Sequence, residues 1–124
     1  MNLVDSCGWL EYFADSSCAD FYAAAIEDTD NLLVPTICIL EVFKRVLQQR
    51  GENDALQTIA VMHQGKVVNL DSNIALRAAK IGHELKLPLA DSVVMATAQT
   101  YGATIWTQDS DFKGIDGVNY FQKK

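Results

Sequence analysis

Three acidic residues stand where a predicted strand ends or a predicted helix begins, a fourth lies within a predicted helix, and together the four could hold a divalent cation. Asp5 and Asp109 each come directly after a predicted strand. Glu41 lies on the helix that follows the second strand, and Asp91 lies in the first turn of a later helix. Because parallel strands end at one edge of a sheet, side chains that follow them can share one cleft. The four carboxylates are therefore expected to converge.

Carboxylates that converge in this way repel each other. Two unit charges about 4 Å apart repel by roughly 4 kcal/mol at an effective dielectric constant near 20. A bound cation offsets this repulsion, and a site made only of acidic oxygen ligands favours Mg²⁺ or Mn²⁺ over zinc. The residue types thus predict a magnesium site, with Mn²⁺ as a substitute.

Each acid taken alone also has an ordinary structural explanation. Asp91 could cap its helix, which is worth about 1 kcal/mol, and Glu41 could pair with Arg45 four residues on, for roughly 0.2–0.5 kcal/mol. Asp109 and Asp111 could be turn residues, because aspartate favours turns through local hydrogen bonds. These explanations must all hold at once to account for the pattern, so a shared pocket is favoured.

Strands and helices alternate along the chain, and this alternation supplies the edge at which the acids would meet. Apolar runs bounded by turn residues predict five strands, at 1–4, 31–34, 66–70, 103–107 and 118–121. Apolar spacing and capping residues predict helices around 9–13 and over 18–26, 36–50, 53–64, 72–85 and 91–101. Such alternation is typical of parallel pairing with right-handed crossovers. The expected fold is an α/β class, a three-layer α/β/α sandwich with a central parallel sheet.

The helix predicted over 36–50 carries basic residues close to one of the acids. Pro35 and Thr36 mark its start, and Gly51 marks its end. Its apolar positions are expected to be Ile37, Leu40, Val46 and Leu47, which leaves Glu41, Lys44, Arg45 and Gln48 on the other face. Charges of this kind are most often simply solvated. The alternative interpretation places Lys44 and Arg45 beside the pocket, holding phosphate groups.

Histidine and cysteine do not provide a competing catalytic centre. His63 is predicted on the apolar stripe of its helix and His83 near a helix C-terminus, and both are assigned structural roles. Cys7, close to Asp5, has no histidine evidently placed to activate it and is interpreted as a small packing residue. Because metal-free phosphodiester chemistry normally uses histidine as acid and base, a metal-dependent site is favoured.

Composition sets the broad class of protein. The chain has 124 residues, 49% of them hydrophobic, and a formal net charge of −6, which fits one domain over 1–124 with a buried core. Three cysteines without a CxxC spacing argue against a disulfide framework and predict a reducing, cytoplasmic location. Neither a membrane span nor a secretory signal is expected. An acidic chain that handles nucleic acid needs a metal ion or a basic patch to offset repulsion.

Four segments resemble the PIN-domain nucleases, and most closely the VapC-type toxins of prokaryotic toxin–antitoxin pairs. Those segments are Val4-Asp5-Ser6 with Trp9, Ile39-Leu40-Glu41-Val42, Pro88-Leu89-Ala90-Asp91-Ser92 followed by Met95-Ala96-Thr97-Ala98, and Thr107-Gln108-Asp109-Ser110-Asp111-Phe112. Each segment alone is short. Together they occur in the family's order, with the expected elements between them, and they span nearly the whole chain.

The resemblance implies a role for each acid. It implies that Asp5, Glu41, Asp91 and Asp109 form the divalent-metal pocket, with Asp5 and Asp91 as the most direct ligands. It also implies that Asp111 is a fifth acid at the edge of this pocket. The resemblance therefore assigns one shared site to all the acids singled out above.

Residues beside Asp5 partly follow the family's pattern. Thr107 and Ser6 resemble the small hydroxyl residues that orient the first aspartate. Cys7-Gly8 departs from the Ser/Thr and β-branched residues that are more usual there. This departure affects how tightly the segment behind Asp5 packs, but it changes none of the acidic residues.

The resemblance also implies an activity, a Mg²⁺-dependent endoribonuclease in which an activated water attacks an RNA phosphodiester. It implies the toxin of a type II toxin–antitoxin pair, a homodimer, and an antitoxin whose tail covers the acidic cleft. Three alternatives stay open: a PIN nuclease of RNA processing, a binding module without activity, and a phosphoryl-transfer protein on a similar open sheet. The third places adjacent acids or Asp-x-Asp after its first strand, where this chain has Asp5-Ser6-Cys7.

Overall fold

Strands and helices alternate in the computed structural model, which describes residues 1–123 and leaves Lys124 outside the description. The strands are β1 (Asn2–Val4), β2 (Leu32–Pro35), β3 (Lys66–Val68), β4 (Thr104–Thr107) and β5 (Val118–Tyr120). The α-helices are α1 (Ser6–Phe13), α2 (Ala19–Ile26), α3 (Thr36–Arg50), α4 (Glu52–Met62), α5 (Ser72–Leu85) and α6 (Leu89–Tyr101). Two short 3₁₀ helices, Thr29–Asn31 and Ser110–Phe112, precede β2 and follow β4.

One parallel sheet contains all five strands, in the order β3-β2-β1-β4-β5. The chain builds outward from β1 to β3 and then returns to the other side of β1 with β4 and β5. The point where the strand order reverses therefore lies between β1 and β4, and such a switch point is where open α/β sheets bind ligands. Six helices flank the sheet, so the predicted α/β fold with a central parallel sheet is confirmed.

The core lies where the central strands meet the helices. Leu3, Val4, Leu33 and Val34 are fully buried, as expected for parallel strands covered on both faces. Trp9, Tyr22 and Phe112 are the largest fully buried side chains. None of the helices described over 1–123 combines the length and apolarity that crossing a membrane requires.

Helix α6 begins two residues earlier than the sequence predicted. It starts at Leu89, with Pro88 as its N-cap residue, and no side chain caps this end. Proline restricts the residue before it to extended backbone and has a φ suited to a helix start, so the helix begins directly after Pro88. Asp91 consequently lies within the first turn and is not the residue at which the helix opens.

Helix α3 turns inward a face that only partly matches the predicted one, since Val46 and Ile37 pack inward as expected but Leu40 and Leu47 do not. Cys38, Val42 and Val46 are buried, whereas Leu40 and Leu47 are 58% and 41% exposed. Apolar residues surround most of this helix, so their spacing alone did not determine which stripe packs against the rest of the chain. Gly51 does end the helix, with a φ of 91° that favours glycine.

The prediction for His63 was wrong, because α4 ends at Met62 and His63 lies exposed just beyond it. Its Nδ1 is 2.9 Å from the carbonyl oxygen of Ile59, a contact that satisfies the end of the helix. His83 is likewise exposed. Neither histidine lines the site described below.

Candidate metal centre

Three aspartates meet at the switch point of the sheet. Asp5 follows β1, Asp109 follows β4, and Asp91 lies in the first turn of α6. Each offers one carboxylate oxygen, and these three oxygens all lie within 4.8 Å of one another. Residues far apart in the sequence thus form a compact acidic cluster, which we call the aspartate cluster.

Asp5 is the most firmly held member of the aspartate cluster. Its side chain is buried, and the Thr107 hydroxyl donates a hydrogen bond of 3.0 Å to its Oδ2. The backbone amide of Ser6 donates a 2.8 Å hydrogen bond to its Oδ1. Thr107 therefore makes the orienting contact that the resemblance implied, whereas Ser6 contributes its backbone amide to Asp5.

Asp109 is tied to the same threonine. Its backbone amide donates to Thr107 Oγ1 at 3.0 Å, and its own Oδ1 accepts from the backbone amide of Asp111 at 3.0 Å. The Thr107 hydroxyl thus links the two acids that follow β1 and β4. These short contacts restrain the distance between Asp5 and Asp109.

The protonation of the aspartate cluster reflects burial and mutual repulsion. Burial is the main cause that raises the pKa of Asp5 to about 6. Burial, followed by the charge of Asp109, raises the pKa of Asp91 to about 7. Within residues 1–123 the single ion pair joins Lys123 and Glu11, so no basic side chain there neutralises the cluster. A small divalent cation with oxygen ligands fits this donor set.

Glu41 and Asp111 border the cluster without joining the group of three. The charge of Glu41 contributes to the raised pKa of Asp5, so this carboxylate faces the site from α3. Glu41 forms no ion pair with Arg45 or with any other residue in the range 1–123. Asp111 is exposed, and the negative charge of its carboxylate helps to raise the pKa of Asp91.

Cys7 contacts the site as a thiol. Its Sγ lies 3.7 Å from Asp5 Oδ2 and 3.5 Å from Thr107 Oγ1. Burial raises the pKa of Cys7 to about 11, and the nearby Asp5 charge adds to this effect. Because the reactive species is the thiolate, Cys7 at neutral pH packs behind the acids and does not act as a nucleophile.

Two hydrogen bonds near the aspartate cluster were not predicted from the sequence. The Tyr22 hydroxyl donates to Gln108 Oε1 at 3.1 Å, and Cys18 Sγ donates to the same oxygen at 3.5 Å. Gln108 lies between Thr107 and Asp109 in the sequence, and this position is the only signal that could have identified it as a residue of the site. Tyr22 is fully buried in the core, and nothing in its spacing indicated a polar contact next to the acids.

A groove of about 600 Å³ lies beside the aspartate cluster, between α1, α3 and α4. Cys7 and Gln108 belong to its lining, and its charged residues are two arginines and two acids: Arg45, Arg50, Glu11 and Asp54. Lys44 is exposed but does not line this groove. Of the two basic residues singled out from the sequence, only Arg45 therefore belongs to the groove.

The sequence matches the family model described as PIN domain over residues 3–118. The chain therefore belongs to the PIN domain family, and the resemblance identified from its four acidic segments is confirmed. This membership decides against the alternative of a phosphoryl-transfer protein on a similar open sheet. A search of curated protein sequences finds no match.

Solved structures with similar folds come from VapBC-type toxin–antitoxin systems. A chain in a toxin–antitoxin complex from Klebsiella pneumoniae is 25% identical, with a TM-score of 0.82 and 96% of each chain covered. Mycobacterium tuberculosis VapC20 is 13% identical, with a TM-score of 0.76, covering 94% of this chain and 95% of that one. DNA-bound VapBC from Salmonella typhimurium is 15% identical, with a TM-score of 0.74 and 98% of each chain covered. At 13% and 15% identity the likeness shows the fold alone.

Proposed function

We propose that this chain is a Mg²⁺-dependent endoribonuclease that hydrolyses RNA phosphodiester bonds and acts as the toxin of a type II toxin–antitoxin pair. The observation that carries the proposal is the aspartate cluster, which places three carboxylate oxygens within 4.8 Å at the switch point of a PIN fold. VapC20, a structural neighbour, is described as a toxin that cleaves the sarcin–ricin loop. We further propose that residues 1–124 form a single domain.

In this proposal Asp5, Asp91 and Asp109 hold the cation, and Glu41 adds negative charge beside them. A bound divalent cation would supply an activated water and offset the charge that builds up on the scissile phosphate. The Thr107 hydroxyl and the Ser6 amide keep Asp5 in place, so little rearrangement is required when the ion enters. Because the pKa values of Asp5 and Asp91 are raised, protons would compete with the cation for these carboxylates, and binding would weaken as the pH falls.

RNA has to approach an acidic protein, and the groove beside the cluster offers a route. Arg45 and Arg50 on its wall can contact phosphates. Lys44 is exposed one residue before Arg45 and can add to the attraction without lining the groove. These basic residues would position the strand, while the cation at the aspartate cluster would act on one phosphodiester.

Two protein partners complete the proposal. The first is an antitoxin whose tail covers the acidic cleft, supported by the toxin–antitoxin complexes among the structural neighbours and by the groove that adjoins the cluster. The second is another copy of the chain. Leu76 and Leu89 are 74% and 86% exposed, and an apolar groove lies between α5 and α6. Exposed apolar surface of this kind is typical of protein interfaces.

The activity is tested on purified, antitoxin-free protein incubated with RNA in Mg²⁺ or in EDTA. We expect cleavage only with the metal. The products should carry a 5′-phosphate and a 3′-hydroxyl, because water attacks the phosphorus and the 3′-oxygen is the leaving group. Asp5→Asn should abolish cleavage, whereas Asp116→Asn, at an exposed acid outside the cluster, should retain it. Cleavage that persists in EDTA, or 2′,3′-cyclic phosphate ends found by mass spectrometry, would overturn the proposed mechanism.

A further inference from the structure

Tyr22 is a fully buried side chain whose polar end lies next to the acidic site. Its hydroxyl donates a 3.1 Å hydrogen bond to Oε1 of Gln108. Gln108 is the residue between Thr107, which holds Asp5, and Asp109, which belongs to the aspartate cluster. A buried hydroxyl needs a partner, and here the partner is the side chain of the segment that carries Asp109.

The place of the Tyr22 ring depends on the glycine in the first turn of α1. A Cβ atom at Gly8 would lie 2.5 Å from Cε1 of Tyr22 and 2.7 Å from Cγ1 of Val4, closer than real Cβ contacts. The ring therefore occupies the space that a side chain at position 8 would fill. The Cys7-Gly8 pair, which departs from the family's usual residues, is what allows α2 to pack its tyrosine against α1.

The other donor to Gln108 is also anchored. Cys18 Sγ is 3.5 Å from Gln108 Oε1 and 2.6 Å from Glu11 Oε2, and the Ser16 hydroxyl donates to the same Glu11 oxygen at 2.8 Å. Glu11 lies on α1, whereas Cys18 directly precedes α2. The contacts to Gln108 thus connect the helical pair to the segment after β4, and none of them touches an acid of the cluster.

We propose that Tyr22 is a positioning residue for the metal site. Its hydroxyl holds Gln108, and Gln108 in turn sets the path of the backbone from Thr107 to Asp109. The Asp109 carboxylate is thereby kept within reach of Asp5 and Asp91. This inference rests on the proposed function, because it names a residue that prepares the same site for its cation.

The argument for positioning is that the Tyr22 contact adds a restraint at the middle of a segment that is held at both ends. The Thr107 hydroxyl links Asp109 to Asp5, and Phe112 is fully buried at the far end. Asp109 makes a backbone contact to Thr107 and a side-chain contact to the Asp111 amide, and both partners belong to the same segment. Gln108 makes the side-chain link from this segment to α2. Groups that orient metal ligands from behind typically change metal affinity by about 10- to 100-fold when removed.

The test uses two variants, Tyr22→Phe and Tyr12→Phe, each of which loses one hydroxyl oxygen. Mn²⁺ alone is titrated into each purified protein. Tyr22→Phe should raise the Kd for Mn²⁺ by about tenfold, the low end of the range for groups behind a ligand. Tyr12→Phe is the control, because the Tyr12 hydroxyl donates at 3.1 Å to the exposed Glu27 and lies outside this network. It should leave the Kd unchanged.

A spectroscopic measurement without metal separates positioning from general loss of packing. In ¹H–¹⁵N spectra of the metal-free chain, Tyr22→Phe should shift the Asp109 and Gln108 backbone amides, whereas Tyr12→Phe should shift neither. If wild type binds no Mn²⁺, the proposed function fails while these shifts still decide the positioning contact. Unshifted amides in folded Tyr22→Phe protein overturn the inference.

A second variant asks whether Tyr22 acts through Gln108. Gln108→Met keeps the length of the side chain and removes its acceptor. If the hydroxyl works through this acceptor, the double variant Tyr22→Phe/Gln108→Met should bind Mn²⁺ no more weakly than Gln108→Met alone. Losses that multiply in the double variant would show that Tyr22 acts by packing alone and would overturn the inference.

Discussion

Asp91 shows how a position that looks like a helix cap can serve another purpose. It lies in the first turn of α6, where the helix dipole favours a negative charge, but Pro88 is the residue at the N-cap. Its carboxylate instead meets Asp5 and Asp109, and its pKa rises to about 7 through burial and the charge of Asp109. This geometry supports the proposed role of Asp91 as a ligand of the cation.

Asp91→Asn should therefore affect the metal-free and metal-loaded protein differently. Removing one carboxylate relieves repulsion in the empty cluster, so melting in EDTA should occur at the wild-type temperature or above it. Mn²⁺ at about 100 times its Kd should stabilise wild type by roughly 2.7 kcal/mol, and the variant should lose most of this gain. Thermal melts with EDTA and with Mn²⁺ measure both effects.

Asp71→Asn is the matched control for this experiment. Asp71 is a true helix cap, since its Oδ1 accepts a 2.9 Å hydrogen bond from the Ile74 amide at the start of α5. Asparagine caps helices about as well as aspartate, so this variant should keep both its stability and its response to Mn²⁺. If Asp91→Asn also keeps the full response, Asp91 is not a metal ligand.

The junction of β1 and α1 determines where the first acid points. Helix α1 begins at Ser6, directly after Asp5, so Asp5 both ends the strand and caps the helix through the Ser6 amide. This abrupt turn holds α1 close to α2, with Gly8 against the Tyr22 ring. The packing of α1 against α2 thus affects the site through Gly8, which has no side chain.

Gly8→Ala should destabilise the protein, although the same change usually stabilises a helix. Alanine in place of glycine within a helix is ordinarily favourable by roughly 0.5–1 kcal/mol. Here the new methyl group would overlap the Tyr22 ring and the Val4 side chain, and overpacking of this kind costs about 1–3 kcal/mol. Urea unfolding measures the sign, and a stabilised variant would show that the ring moves aside freely.

The acidity of the whole molecule makes its stability depend on metal and pH. The formal net charge is −6, and the aspartate cluster has no basic partner among residues 1–123. Burying acids without a counter-charge lowers stability once they ionise. Protons bound to the aspartate cluster would offset this cost. Under the proposed function, a bound cation would do the same.

Metal-free stability should accordingly fall as the pH rises. Asp5 has a pKa raised from 3.8 to about 6, so the folded state binds its proton more tightly than the unfolded state does. The stability that this proton supplies is fully present below 3.8 and is lost as the pH rises through about 6. The loss from Asp5 amounts to at most about 3 kcal/mol, at 1.36 kcal/mol per pKa unit.

The difference between wild type and Asp5→Asn reports this contribution together with the part of the raised pKa of Asp91 that the Asp5 charge causes, because other groups titrate in both proteins. Measured by urea unfolding in EDTA, wild type should lose stability relative to the variant between about pH 4 and pH 7. Saturating Mn²⁺ should remove this loss, since the cation offsets the charge. A difference that stays constant with pH would contradict the raised pKa of Asp5.

Local signals in the sequence determined the elements of the protein and the candidates for its chemistry. Apolar runs defined the strands, Gly51 marked the end of a helix, and four acids stood at strand ends or on helices. These features depend on neighbours within a few residues, so spacing and residue type are sufficient to predict them. The parallel sheet followed from the alternation of those elements.

Only the tertiary structure decided which of these residues meet. Asp5, Asp91 and Asp109 form the compact group, while Glu41 remains beside it, because the strand order and the start of α6 set the distances. The inward face of α3 and the contact of Tyr22 with Gln108 likewise depend on packing between elements far apart in the sequence. Periodicity predicts which side chains share one face of a helix. A contact between two elements also depends on where the second element lies.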